Sequence, residues 1–531
     1  MQLTIIGKLK GWLGQKSTAL LCLLVAVISK SAIALSYSSL KGDKSLYLLF
    51  AKSFLETGVL AEPVQVAENG AAYYLYNPAV HSPLYSLMAA PFLWLTKSYF
   101  LSQYILAVLS WVIFYAALYQ VVRFIFRQSW QVSLFLLCSA FFIYPHELSS
   151  PPKDTFAIGF VLWGIVLINQ LLAPNPKRLQ AIFLAIVLVC LAAIKLLYVP
   201  VAIVLLLASL FYFFYRRKTH LQTAAIFVGT LFLLCILIYF LIFQPAYGLA
   251  NPSVQLSQNS TNTGGGFHPD YLQYTYPFVT SSLFNTHLWA VQLERFTPLS
   301  FTEVMQLFFR IDVVLFIGLS VLLIRFLKRI ASNVALTLLV CASLTMIGVV
   351  CGLSLIGQGT IYKSSGSFWT FVMDARSFLL PMITLQIALF LFVFGATKLR
   401  LLRTAAALLF FTSCAHGLYF TAKEATSLNS GSDAASNDAQ TRIIALLSSQ
   451  QNAGFKLVTS DHFLRRYAQV NNHEVYSFSS LPANFSWMKK GDRFLVATFP
   501  QDSVYRNRFP TADLIVMDTI RPFVLHQYIV K

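Results

Sequence analysis

Eleven apolar runs, each about the length a helix needs to cross the hydrocarbon core of a bilayer, limit what this chain can fold into. They lie near residues 17–37, 100–122, 131–148, 155–173, 179–197, 198–215, 221–243, 305–325, 333–355, 376–396 and 403–421. Of the 531 residues 57% are hydrophobic and 11% charged, whereas an ordinary soluble domain carries about 25% charged residues. A soluble globular protein is thereby excluded. Seven cysteines all fall in apolar runs and none has Cys-x-x-Cys spacing, so neither a disulfide framework nor a zinc site is signalled. They read as small packing residues.

The basic residues are ordered along the chain. Alternate junctions between runs carry Lys8, Lys10 and Lys16; Arg123 and Arg127; Lys177 and Arg178; Arg216, Arg217 and Lys218; Arg325, Lys328 and Arg329; then Lys398, Arg400 and Arg403, and no acid. By the positive-inside rule these junctions are cytoplasmic, which puts the N-terminus inside and the C-terminus outside. They hold 16 of the 39 basic residues, so the other 23 meet all 20 acids elsewhere, for only +3 of the net +19. The excess is an orientation signal, and nucleic acid is not an expected partner. The first run has the basic start of a secretory signal, with a small-residue site at Ser31 to Ala34. It is long for a signal and the alternation needs its crossing, so it is expected to stay as a helix.

Short cytoplasmic loops leave no room for a catalytic domain, so chemistry belongs to the outer pieces. These are a first loop over 38–99, a Pro-rich turn over 145–154, a third loop over 244–304 and the tail from 422 to 531. The third loop holds a polar stretch at 259–266 ending in three glycines. In the tail, 455–460, 473–478, 493–499, 514–520 and 523–530 read as strands, and 436–450 and 461–469 as helices. The predicted architecture is a polytopic α-helical membrane domain over 1–421, with interfacial helices in its first outer loop, followed by a small extracytoplasmic α/β domain over 422–531.

Several polar residues stand out against this background. Asp43 and Lys44 open an amphipathic stretch after the first run that reads as an interfacial helix. A carboxylate there is either a helix cap or an acid placed to take a proton from, or orient, an incoming hydroxyl. Further on, His81, Ser82, Pro83, Leu84 and Tyr85 open an apolar stretch too short to cross, with Pro83 at its start. His81 is a plain polar residue or a site residue. Asp154, beside Lys153, caps the fourth run, pairs with Lys153, or belongs to a site with Asp43. Lys195, Arg310 and Arg376 lie near the outer ends of their runs, where a cation snorkels to the headgroups or binds an anionic substrate. Arg310 and Asp312, two apart, cannot share a helix face. No metal-ligand spacing is present, and no metal or cofactor is expected.

In this order the residues resemble the GT-C superfamily of integral-membrane glycosyltransferases, and within it bacterial members similar to the aminoarabinose and protein O-mannosyl transferases. Gly42, Asp43, Tyr47, Ala51 and Gly58 are similar to the family's acidic first-loop motif, and His81, Pro83, Leu84 and Tyr85 to its His-Pro-Pro-Leu segment. Asp154 and Thr155 stand at its second acidic position, and Arg376, Phe378, Leu380 and Pro381 resemble its Arg-Tyr-Leu-Leu-Pro element. The resemblance covers essentially the whole chain. It implies a multi-pass protein of the inner (plasma) membrane that transfers a sugar, with inversion, from a polyprenyl-phosphate donor to a lipid, glycan or protein acceptor outside. In that reading Asp43 is the catalytic carboxylate and Asp154 supports it. Lys44, Tyr47, His81 and Tyr85 line the cavity, while Lys195 and Arg376 take the donor phosphate across an outer-leaflet groove from the two acids. Arg310 joins them on physical grounds alone. Lys44 stands where many members have Glu, and Ser82 replaces a Pro; the first departure argues for a metal-independent enzyme.

Two rival classes fit the same spans. A transporter of an anionic or lipid-linked substrate would place polar groups or broken helices at the bilayer midplane, whereas here the polar content is in the outer loops. A non-catalytic envelope-assembly protein would look much like a degenerate transferase, and Lys44 is the feature that favours it.

Overall fold

A computed structural model describes residues 10–36, 43–67, 69–75, 83–142, 153–172, 177–215, 221–243, 269, 272, 275, 277–283, 286–355, 361–364, 367–370, 378–394, 400–429, 439–449, 454–478, 487–498, 515–520 and 523–530. In chain order the elements begin with α1 (Lys16–Ser36), α2 (Asp43–Thr57), β1 (Glu62–Val66), β2 (Ala72–Leu75), α3 (Leu84–Thr96), α4 (Tyr99–Ile125) and α5 (Ser129–Phe142). Next come α6 (Lys153–Leu171), α7 (Arg178–Ile194), a 3-10 turn (Leu196–Tyr198), α8 (Val199–Tyr215) and α9 (Leu221–Ile238), which runs into a π turn (Tyr239–Phe243). The third long loop and the later runs give α10 (Phe278–Ser281), α11 (Thr286–Phe296), α12 (Phe301–Arg325), α13 (Leu327–Ala331), α14 (Val334–Leu355), the hairpin β3 (Ile361–Ser364) and β4 (Ser367–Thr370), α15 (Leu379–Phe394) and α16 (Arg400–Asn429). The tail follows with α17 (Ala439–Ser448), β5 (Phe455–Thr459), α18 (His462–Val470), β6 (Val475–Ser477), β7 (Arg493–Thr498), β8 (Ile515–Ile520) and β9 (Phe523–Ile529). Among the described residues each of the apolar runs overlaps a helix. Among the described residues six helices are long and apolar enough to cross a membrane, and five apolar helices are shorter.

The chain divides into two compact units. The first comprises Met1–Ser36, Ala107–Tyr239 and Pro252–Ala425, and the second Tyr37–Leu106, Phe240–Asn251 and Thr426–Lys531.

In the first unit α6 is the inner helix, with 78% of its apolar window buried against 6% for that of α9 and 17% for that of α12. Two glycines let its neighbours come close: a Cβ on Gly159 would stand 3.0 Å from Ile113 Cγ2, and one on Gly164 3.1 Å from Leu205 Cδ1. Helices α7, α8 and α14 also pack on α6. The peripheral helices turn large apolar side chains outward, among them Phe232 and Leu233 on α9 and Val314, Ile317 and Val321 on α12. Soluble proteins rarely expose apolar faces of that extent. Together with the length of the spans, these faces identify an integral membrane protein.

Polar groups tie the third loop into this unit. Asp312, buried on α12, accepts the backbone N–H groups of Val279 and Thr280 at 2.7 and 2.8 Å, capping α10. Gln386 on α15 donates to the Ser282 carbonyl and to Ser413 Oγ.

In the second unit a seven-stranded sheet has the order β2-β1-β6-β5-β7-β9-β8. Its centre is parallel and both edges are antiparallel hairpins. All five strands and both helices expected in the tail are present, shifted by a few residues at their ends. The sheet also contains β1 and β2, from the segment 38–99, which the sequence reading left without strands. Gln65 and Val66 pair in parallel with Tyr476 and Ser477. Tyr476, Phe494, Val496 and Tyr528 form a buried cluster on which Trp487 packs. Trp487 Nε1 donates to the Ala67 carbonyl at 3.1 Å, fastening the β1–β2 turn.

Helix α2 buries more than the amphipathic pattern implied. Ser45 through Ala51 are all buried, and the polar face begins only at Lys52 and Glu56. It packs on α3, α18 and β1. Pro83 stands at the N-cap of α3, as its position in the sequence suggested.

Candidate functional site

The first unit gathers two of the singled-out residues. Helix α7 ends at Ile194, and Pro200, as the second residue of α8, sits in the first turn of the new helix, where its missing N–H costs nothing. The break between them leaves Lys195 extended, at φ −163° and ψ 126°, beyond the last turn of α7. Its carbonyl accepts the Tyr198 N–H at 3.0 Å, closing the 3-10 turn. Asp154 lies in the first turn of α6, where a carboxylate is favoured by the helix N-terminus. Lys195 Nζ donates to Asp154 Oδ1 at 2.7 Å. The side chain of Asp154 is 4% exposed and that of Lys195 22%, so the acid is the buried anchor and the ammonium the accessible partner. Asp154 therefore has an ionic partner 41 residues on, in addition to its place at the helix start. Lys153, Thr155 and Tyr198 are buried close by in sequence, and α14 packs on both α6 and the 3-10 turn.

An ammonium fixed in this way can do definite chemistry. It is a hydrogen-bond donor with a full positive charge, and it stands at the ends of apolar helices where charge is weakly screened. A phosphate oxygen, or any oxygen gaining negative charge, is a fitting ligand.

The second unit holds the other group. Asp43 and Lys44 are the first two residues of α2. Tyr47, 1% exposed, meets Tyr85 of α3 edge-on with ring centroids 5.3 Å apart. Tyr85 is fully buried, and its hydroxyl donates to Gln103 Oε1 at 2.8 Å. The tyrosines thus lock α2 to α3, and neither hydroxyl is at the surface. His81 and Arg376 lie outside the described residues, as do Gly42, the Pro-rich turn at 145–152 and the polar stretch at 259–266. From the later motif Phe378 and Leu380 are buried, Phe378 stacked on Phe278 at 5.1 Å. Arg310 is exposed on α12 while Asp312 faces inward, the opposition that their spacing required. Among the described residues no group of three or more His, Cys, Asp or Glu could hold a metal ion.

Sequence reasoning passed over three features. Lys30 is fully buried on α1, and its signal is a lone cation inside an apolar run. Gln103 holds Tyr85, and nothing in a mostly apolar helix singles it out. The third is a buried charge cluster: Glu62, 1% exposed, accepts from Arg465 Nη2 at 2.5 Å and from Arg466 Nε and Nη2 at 2.8 and 2.9 Å. Burial pushes the Glu62 carboxyl up, but the two guanidinium groups outweigh it and hold the group below the usual glutamate range. His462, at the start of α18, is pushed down by burial and then by Arg466.

No protein-family model matches the sequence, and no curated protein does. In structure the chain is similar to ArnT from Cupriavidus metallidurans bound to undecaprenyl phosphate, with 13% identity and a TM-score of 0.47 over 96% of this chain and 97% of that one. The apo state of the same protein gives 12% and 0.45 over the same shares. The archaeal oligosaccharyltransferase AglB from Archaeoglobus fulgidus, in complex with an inhibitory peptide and a dolichol-phosphate, gives 12% and 0.40 over 87% of this chain and 65% of that one. In the order of its sequence motifs the chain resembles the GT-C membrane glycosyltransferases.

Proposed function

We propose that this protein is a membrane glycosyltransferase that moves a sugar from a polyprenyl-phosphate donor to a lipid, glycan or protein acceptor on the extracytoplasmic side. The observation that carries the reading is the Asp154–Lys195 pair, a cation held by a buried carboxylate where two apolar helices break. The motif order supplies the rest. Asp43 takes the proton of the acceptor hydroxyl as its oxygen bonds to the anomeric carbon, and the bond from that carbon to the donor phosphate oxygen breaks. Attack from the face opposite the phosphate inverts the centre. Negative charge then gathers on the departing phosphate, where Lys195 and Arg376 stabilise it. Asp154 keeps Lys195 in place, while His81 and Lys44 line the acceptor side.

In this reading residues 1–421 form the membrane domain and 422–531 the extracytoplasmic domain, with the N-terminus in the cytoplasm. Asp43→Asn keeps the shape of the side chain and removes the base, so transfer should fall by about 100-fold or more. Mass spectrometry of envelope glycolipids, glycans and glycoproteins, from cells carrying wild type, the variant or no gene, reads both the loss and the missing product. Unchanged modification with Asp43→Asn, the protein being present in the membrane, overturns the role of Asp43. An unchanged envelope in the absence of the gene favours the non-catalytic reading.

A further inference from the structure

Residues 62, 64 and 66 of β1 share one face of the strand, since side chains alternate. Val64 and Val66 are fully buried there, and so, against its chemistry, is Glu62. A buried carboxylate is costly unless paired and hydrogen-bonded. Both of its oxygens are engaged, Oε1 by Arg465 and Arg466 and Oε2 by Arg466. The two arginines sit side by side on α18, which packs on α2, β5 and β6. Asp461 fixes the start of α18, its Oδ1 accepting the Leu464 N–H at 2.9 Å. Strand β1 is itself joined to α2 by a short connection. Gly58, at φ +76°, ends the helix with its N–H on the Phe54 carbonyl, and Leu60 and Ala61 are buried before the strand begins. The pieces close a ring: α2 leads into β1, β1 pairs with β6, and α18 covers both the sheet and α2.

We propose that Glu62 is a positioning residue: clamped by Arg465 and Arg466, it fixes α2, and with it residue 43 at the first position of that helix, to the sheet of the C-terminal domain. The proposal rests on the functional reading above, in which Asp43 is the reacting carboxylate. An apolar residue at position 62 would fill the same space without selecting one register. A carboxylate shared by two forked donors accepts a single arrangement. The tail thereby becomes part of the catalytic machinery through its hold on one helix.

The test uses the full chain in detergent micelles, with hydrogen exchange of the α2 amides and transfer kinetics measured side by side. Glu62→Gln should speed exchange over residues 46–51 by about 10-fold through local opening. It should lower kcat by about 10- to 100-fold while the donor KM stays within about twofold. Lys52→Ala, on the exposed Lys52–Glu56 pair of the same helix, leaves both unchanged. If Glu62→Gln does not reach the membrane, Arg466→Lys keeps the charge, loses the fork and is read in the same way. Unchanged exchange in α2, or faster exchange with unchanged kcat, overturns the proposal. Asp43→Asn in the same series separates the two ideas: transfer retained there removes the catalytic reading, and the exchange result then decides on the clamp alone.

Discussion

Replacing either member of the Asp154–Lys195 pair should have unequal effects, because their burial is unequal. Lys195→Ala leaves a carboxylate that is 4% exposed without its cation. Breaking a fully buried pair in that way costs about 3–5 kcal/mol. Lys195 is 22% exposed, so water reaches the vacated space and the lower end of that range, ~3 kcal/mol, is expected. Asp154→Asn keeps an oxygen that accepts from the ammonium, and the ammonium can turn toward solvent, so only about 1 kcal/mol should be lost. For activity the order is also set. If Lys195 meets the donor phosphate, its loss removes one hydrogen bond to a charged group, worth about 1.5–3 kcal/mol, or roughly 10- to 150-fold in kcat/KM for the donor. Asp154→Asn should lower kcat/KM less, because the lysine remains but is held loosely. Thermal unfolding in detergent gives the first comparison, and initial rates against a titrated polyprenyl-phosphate sugar give the second. A Lys195→Ala enzyme with unaltered donor kcat/KM refutes the phosphate role. An Asp154→Asn protein less stable than Lys195→Ala refutes the assignment of the acid as the buried anchor.

Three further outcomes are expected. Gly70 has φ +66° and a Cβ there would stand 2.6 Å from Trp487 Cγ, so Gly70→Ala should destabilise the sheet unit by about 1–3 kcal/mol, seen as faster exchange of β1 and β2 with α6 and α8 unaffected. Because Glu62 is held below its ordinary range in the folded unit, its contribution is complete above about pH 4.3 and is lost as pH falls through the depressed folded value; acid melting curves of wild type and Glu62→Gln should therefore converge at low pH. A reporter active only in the cytoplasm, fused after Lys531, should be silent, and activity there would reverse the proposed orientation.

The helices were legible because a span of 20 apolar residues admits few other states in a bilayer. The tail's strands were legible because short β-branched and aromatic runs between turn residues have few alternatives. The hairpin of β1 and β2 escaped for a physical reason. Its first strand, Glu-Pro-Val-Gln-Val, has a proline inside it, which argues against a strand within a sheet, and it is completed by β6, about 400 residues later. Glu62 was invisible for the same cause, since an isolated acid in a loop announces nothing until two arginines from α18 close on it. Asp154 was legible as a helix start. Lys195 was set across a groove from it, and the direct ion pair was not legible, because Lys153 was the nearer cation and only the break between α7 and α8 brings Lys195 within bonding distance. Nothing in composition distinguishes Tyr85 as a buried tyrosine held by Gln103.

The sheet of the second unit has a consequence for how the protein is made. Its strands come from both ends of the chain, with Glu62 and Arg465 403 residues apart in sequence. During synthesis the β1–β2 hairpin emerges before the strands it pairs with in parallel, and has no parallel neighbour until β6 arrives, after the helices from α4 to α16. Such long-range pairing is slow, and an open strand edge is a template for pairing with the wrong chain. The segment that carries β5 to β9 is therefore the step that completes this sheet. Chains cut short before β6 should accumulate in the membrane with that edge exposed and be recognised by quality-control proteases, even when every membrane helix has inserted correctly.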